Sequence, residues 1–175
     1  MLKRVGADVP AHTLHPVSTR KNWYVNTALV LWLKSQVKSQ VGVTVTFGTG
    51  RGSAATSPST RNVEEMTRKG IKRLNTKVYR NGVKRKGYSI GAVTAIEGTG
   101  PFERIHVHIA FEPPPSMSFG QFSLLVGQAF KPSKWIEQRP HIAECWSQDW
   151  INYTLKLGQE ALKPSCCFVA KHPVA

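Results

Sequence analysis

Three features of the 175-residue sequence predict an α+β domain built around a mainly antiparallel sheet. Val41, Val43, Val45 and Phe47 alternate with Gly42, Thr44, Thr46 and Gly48, a two-residue period with one apolar face and one small or polar face. Two further strands, over about 87–97 and 104–111, flank Gly98-Thr99-Gly100-Pro101, a segment rich in hairpin-loop residues. Between these strands and the first, Val63, Met66, Leu74 and Val78 recur at helical spacing.

Taken in order, residues 1–22 read as a flexible polar arm, and 23–163 as the folded domain. Residues 24–38 favour helix through their Leu, Ala, Lys and Gln content. After the first strand, the Gly/Ser/Thr loop 48–60 ends in an N-cap at Ser59 or Thr60. The next helix, about 61–79, carries Glu64 and Glu65 early and basic residues late, and Asn81-Gly82 should end it in a turn. Beyond Pro113-Pro114-Pro115 come a helix at 118–130 and a strand near 140–146. Ser147 should cap a last helix from about 148 to 158 or a little further, and the tail 164–175 carries no pattern. The resulting order is (α)βαββαβα.

The chain holds 24 Lys and Arg against 10 Asp and Glu, a formal charge of +14. An excess of that size points to a polyanionic partner, most often nucleic acid. The longest apolar run, Ala28 to Leu33, is far short of the roughly 20 residues of a transmembrane helix. An intracellular protein with no membrane partner is expected, in a prokaryotic cytoplasm or a eukaryotic nucleus. Cys145, Cys166 and Cys167 are odd in number and lack metal-site spacing, so reduced thiols are expected. No G-x-x-x-x-G-K-[ST] motif is present, which excludes a P-loop motor in this chain.

The chemistry concentrates in Ile105-His106-Val107-His108-Ile109-Ala110-Phe111. The odd positions are large and apolar and should face the core, leaving both imidazoles together on the other face. Glu97 lies nine residues before His106. In a hairpin whose opposed positions sum to an odd number, such as Glu97 opposite Arg104, its carboxylate joins the histidines within diagonal reach. An even-sum register would bury an ionised carboxylate in the core, at a cost. Two imidazoles and a carboxylate with open positions suit Mn²⁺, Mg²⁺ or another divalent ion acting on a phosphodiester. The ordinary alternative is a pair of solvated strand histidines. His12, His15, His141 and His172 have no evident partners and read as structural or surface residues.

In the last helix, Ile151, Leu155 and Leu162 form one apolar stripe, and Tyr153 points away from it beside Asp149, Lys156 and Glu160. A phenol ionises near pH 10, so it needs a neighbouring cation or a polarised electrophile to attack at neutral pH. Lys156, three residues on, and a metal at Glu97, His106 and His108 could supply both. Tyr153 would then attack phosphorus in line, giving a 5′-phosphotyrosyl enzyme and a free 3′-hydroxyl, a reversible exchange.

Glu97, the His106-Val107-His108 strand and Tyr153-Thr154-Leu155-Lys156 in a following helix together resemble the HUH endonuclease superfamily, and Val43-Thr44-Val45-Thr46-Phe47 resembles its first motif. The likeness spans about 41–160 and is greatest to the single-tyrosine rolling-circle replication initiators of viruses and plasmids. It implies a central five-stranded antiparallel sheet of RNA-recognition-motif type, with helices on one face and the active site on the other. It also implies metal-dependent nicking and joining of single-stranded DNA at an origin hairpin, with a separate helicase and polymerase as partners. Leu157 stands where single-tyrosine transposases usually carry Gln, which favours an initiator over a transposase, and the third histidine common in relaxases is not found.

Residues 61–86 hold ten basic and two acidic side chains, more than half of the net excess. Lys69, Lys72, Arg73, Lys77, Arg80, Lys84, Arg85 and Lys86 are therefore candidate DNA contacts, with Arg51 in its loop. Small residues at Gly42, Thr44, Thr46, Gly91 and Ala95 should leave room for a strand to reach the metal. The competing class is a non-catalytic single-strand-binding module, which would call for exposed aromatics on central strands.

Overall fold

The computed structural model describes residues 28, 31–38, 40–48, 57–99, 103–131, 135–136, 138–145, 149–154 and 161–173. The described elements are α1 (31–36), β1 (Val41–Thr46), α2 (Thr60–Tyr79), α3 (Gly82–Lys86), β2 (Gly91–Glu97), β3 (His106–Glu112), α4 (Phe119–Ala129), β4 (His141–Glu144) and α5 (Asp149–Thr154). The four strands form one antiparallel sheet in the order β2-β3-β1-β4, so the α+β class and antiparallel sheet are as the alternation predicts.

Local chemistry accounts for the helix starts. The Ser59 side chain accepts the Asn62 backbone N–H at the start of α2, and Ser118 and Gln121 form a reciprocal capping box at α4. Because α2 begins at Thr60, Glu64 and Glu65 fall beyond its first turn. Asn81-Gly82 does not simply turn the chain. Arg80 adopts a positive φ of 51° and a short helix, α3, follows before Gly87 ends it.

The main core lies on one face of the sheet. Val43, Val45, Ile96, Val107, Ile109 and Phe111 pack there against Val63, Ile71 and Leu74 of α2 and Phe122 and Val126 of α4. A second, smaller cluster covers much of the other face, where Leu33 and Val37 join Val93, Ala95, Ala110 and Ile151. Helices therefore cover both faces, a correction to the one-sided packing expected. The reason is that Val93, Ala95 and Ala110 make the second face apolar away from the histidines, and that area must be withdrawn from water.

The tail is part of this packing. Residues 162–171 run antiparallel beside β2 through bridges Ala95–Leu162, Ala92–Phe168 and Ser89–Lys171, which cover an edge otherwise open to water. The Cys166 side chain enters the main core, and Ser165 donates a short hydrogen bond to Glu64. No helix among the described residues is long and apolar enough to cross a membrane.

Candidate metal centre

The register of β2 with β3 assembles the site. Glu97, the last residue of β2, lies directly opposite His106, and Ala95 opposite His108. The parity is the odd one expected, but the partner of Glu97 is His106 and not Arg104, so the carboxylate meets one histidine head-on and the other diagonally. Gly98 makes this possible. It turns with φ of 72°, and a Cβ there would lie 2.1 Å from the Arg104 carbonyl oxygen.

Glu97 Oε2 stands 3.3 Å from His106 Nε2 and 3.4 Å from His108 Nε2. Charge-assisted hydrogen bonds of this type are shorter, near 2.7–2.9 Å. Two ligand atoms on one ion at about 2.1 Å are separated by roughly 3.0–3.4 Å for right to tetrahedral angles. The three donor atoms lie within 4.8 Å of one another, so the set fits a single small divalent cation.

Each imidazole is oriented by its other nitrogen. His106 Nδ1 is 3.0 Å from the Arg104 carbonyl, which can only accept, so Nδ1 carries a proton there and the ring is turned with its Nε2 edge toward the site. His108 Nδ1 is 3.0 Å from the Thr44 hydroxyl, supplied by the directly opposed residue of β1. Glu97 is 3% exposed and the His106 side chain 31%, so the carboxylate is sunk in the sheet while one edge stays accessible.

Tyr153 completes the group. Its ring centroid is 4.9 Å from that of His108, and it is 44% exposed while Ile151 is fully buried, as the helical wheel predicts for these two. Leu155 lies outside the described residues, and Leu162, expected on the same stripe, instead bridges Ala95 of β2. Trp150 carries the tyrosine: its indole stacks on the phenol at 4.9 Å and donates Nε1–H to the Ile109 carbonyl at 3.1 Å. The same indole occupies the space above Gly42, where a Cβ would meet the ring at 2.5 Å. The small positions thus serve packing more than ligand access, a correction to their reading as room for a strand. Gly91 abuts Val37 and Glu112, Ala95 is fully buried, and Thr44 and Thr46 retain partial exposure. Trp150 was missed by sequence reasoning, which gave it no role. A bulky aromatic three residues before Tyr153, with a glycine on a central strand, was the available signal.

Lys156 and Arg51 lie outside the described residues. The basic helix is not brought to the metal ligands. The residues α2 buries pack against Val107, Ile109 and Phe111, whose side chains leave β3 on the face opposite His106 and His108. Lys69 pairs with Glu65, Arg73 donates to the Ala129 carbonyl and Lys77 to Gln128, while Lys72, Arg80, Lys84, Arg85 and Lys86 are at the surface.

His172, read as a structural or surface residue without partners, has two: it sits between Tyr79 and Glu112, with Nδ1 2.5 Å from the Tyr79 hydroxyl and Nε2 3.6 Å from Glu112 Oε1. Burial, with a contribution from Glu112, pushes the Tyr79 phenol up to about 12. The three cysteines are not paired with one another, and burial raises all three thiols, Cys167 to about 11. No family model, curated protein or solved structure significantly matches the chain.

Proposed function

We propose that this protein is a single-stranded DNA endonuclease and strand-joining enzyme of the HUH type, acting as a replication initiator through Tyr153. The observation that carries the reading is the convergence of Glu97, His106 and His108 on one point, with the Tyr153 ring beside His108. In this reading the sheet is of the RNA-recognition-motif type, with its fifth strand represented by the bridged segment 162–171.

A divalent ion held by Glu97 Oε2 and the two Nε2 atoms, Mn²⁺ or Mg²⁺ by its mixed nitrogen and oxygen donors, would supply Lewis-acid polarisation of the scissile phosphate. The chain's own residues supply position. Trp150 holds the phenol at the mouth of the site, and Thr44 and the Arg104 carbonyl hold the imidazoles. The Tyr153 oxygen bonds to phosphorus and loses its proton, the bond from phosphorus to the 3′-oxygen breaks, and that oxygen leaves as the hydroxyl. One phosphodiester is exchanged for another, so the 3′-hydroxyl can return and rejoin the strand.

The test is a covalent adduct. Full-length protein, Mn²⁺ and a 3′-labelled library of single-stranded hairpins should yield a labelled band that survives denaturation, and Tyr153→Phe or chelation should remove it. Tight binding of the library by wild type without any adduct would replace this reading with the non-catalytic binding module, in which the Trp150–Tyr153 stack serves as a platform for a base.

A further inference from the structure

Two adjoining cavities open on the layer formed by α2 and α4, on the side of the sheet away from the metal ligands. One, of about 670 Å³, is lined by Lys77, by Gln128 and Lys131 at the end of α4, and by Arg139 before β4. The other, of about 350 Å³, is lined by Lys69, Arg73 and Lys77 and by the same Gln128 and Lys131. Through these shared walls they form one groove. Lys69, Arg73 and Lys77 recur every four residues, a stripe about 12 Å long on one side of α2. At an axial rise of about 3.4 Å per nucleotide, that length spans several backbone phosphates.

The groove holds five cations, and no carboxylate is among its described lining residues. Arg73 and Lys77 donate to neutral oxygens, of Ala129 and Gln128, and so keep their full charge. Arg73 uses Nε and Nη2 for that bond, which leaves its Nη1 donors for a ligand. Lys69 faces Glu65 in an exposed pair that water screens. Lys131 and Arg139 are exposed and have no ion-pair partner among the described residues. The described lining also lacks Trp, Tyr and Phe. Single-strand grooves hold bases by stacking on such rings, whereas a duplex presents its phosphates outward with its bases already stacked.

We infer that this groove binds the phosphate backbone of double-stranded nucleic acid, at a site separate from the metal centre. The inference deepens the reading above and rests on it: the enzyme would hold duplex on one face of the sheet and cut single strand on the other.

The experiment measures binding of a short fluorescent DNA duplex to the full chain by anisotropy across a salt series, with Lys131→Ala/Arg139→Ala and His106→Ala variants. The paired substitution should weaken duplex binding. It should also make the slope of log affinity against log salt shallower by about two, at about 0.9 for each phosphate no longer neutralised. Adduct formation on a single-stranded hairpin should persist in that variant, and His106→Ala should lose the adduct while binding duplex like wild type. Unchanged duplex affinity and slope in the paired variant overturn the groove assignment. So does a loss confined to phosphatidylserine vesicles, which would assign the groove to a membrane surface, and so does equal loss of duplex binding in His106→Ala, which would merge the two sites. Duplex binding that depends on Lys131 and Arg139, with no adduct from wild type, overturns the nuclease reading alone.

Discussion

The Trp150 indole fills the space above Gly42, so the glycine on β1 and the tryptophan on α5 form a wedge and its seat. Tyr153 stacks on the outer side of that wedge and His108 meets its edge at 6.1 Å between centroids. The position of the phenol over the sheet therefore depends on a residue that has no side chain.

Gly42→Ala tests this dependence. The new methyl cannot coexist with the indole at 2.5 Å, so Trp150 must move or the strand must shift. Overpacking of this kind typically costs about 1–3 kcal/mol, read as a lower urea midpoint. A displacement of about 1 Å at the nucleophile is expected to slow adduct formation by about 10²-fold. Wild-type values for both stability and rate would show that Trp150 is not seated there.

Thr44→Val probes the support of His108. Valine keeps the shape but removes the hydroxyl from Nδ1, and loss of such an outer partner typically weakens metal binding by about 10–100-fold. Titration calorimetry with Mn²⁺ measures it, with Glu97→Gln as the control expected to lose binding altogether. Equal affinity in Thr44→Val and wild type contradicts the supporting role.

Gly98→Ala addresses the turn that brings Glu97 opposite His106. The positive φ disfavours alanine, and a Cβ 2.1 Å from the Arg104 oxygen forces the backbone apart. Because the Arg104 carbonyl also orients His106, the variant should lose both stability and Mn²⁺ affinity. A variant that keeps wild-type Mn²⁺ affinity argues against this coupling.

Tyr79 sets an alkaline limit on stability. Its folded pKa, about 12, exceeds the ordinary value of 10, so between these values the unfolded chain has lost a proton that the folded chain retains. Stability from this group is complete below pH 10 and falls as pH rises toward 12. Lysines titrate in the same range, so the measurement is the difference between wild type and Tyr79→Phe in urea midpoint at pH 9 and pH 11. The phenylalanine variant should lose less on going to pH 11, and an identical loss refutes the assignment.

Much of this molecule can be read from its sequence because the relevant signals are local. Alternation of large and small residues marked β1 and β3, Ser59 or Thr60 marked the start of α2, and His106-Val107-His108 put two imidazoles on one face of one strand. Those are consequences of backbone period and capping, which a chain carries wherever it folds. The tertiary structure decided which residues meet. The pairing of Glu97 with His106 depends on a register set by the turn at Gly98 and by burial on both faces. The seat of Trp150 on Gly42, the capture of His172 by Tyr79 and Glu112, and the location of the basic helix on the face away from the histidines join residues far apart in sequence. Such meetings arise when whole layers pack to remove apolar area from water, and no period within a single segment encodes them.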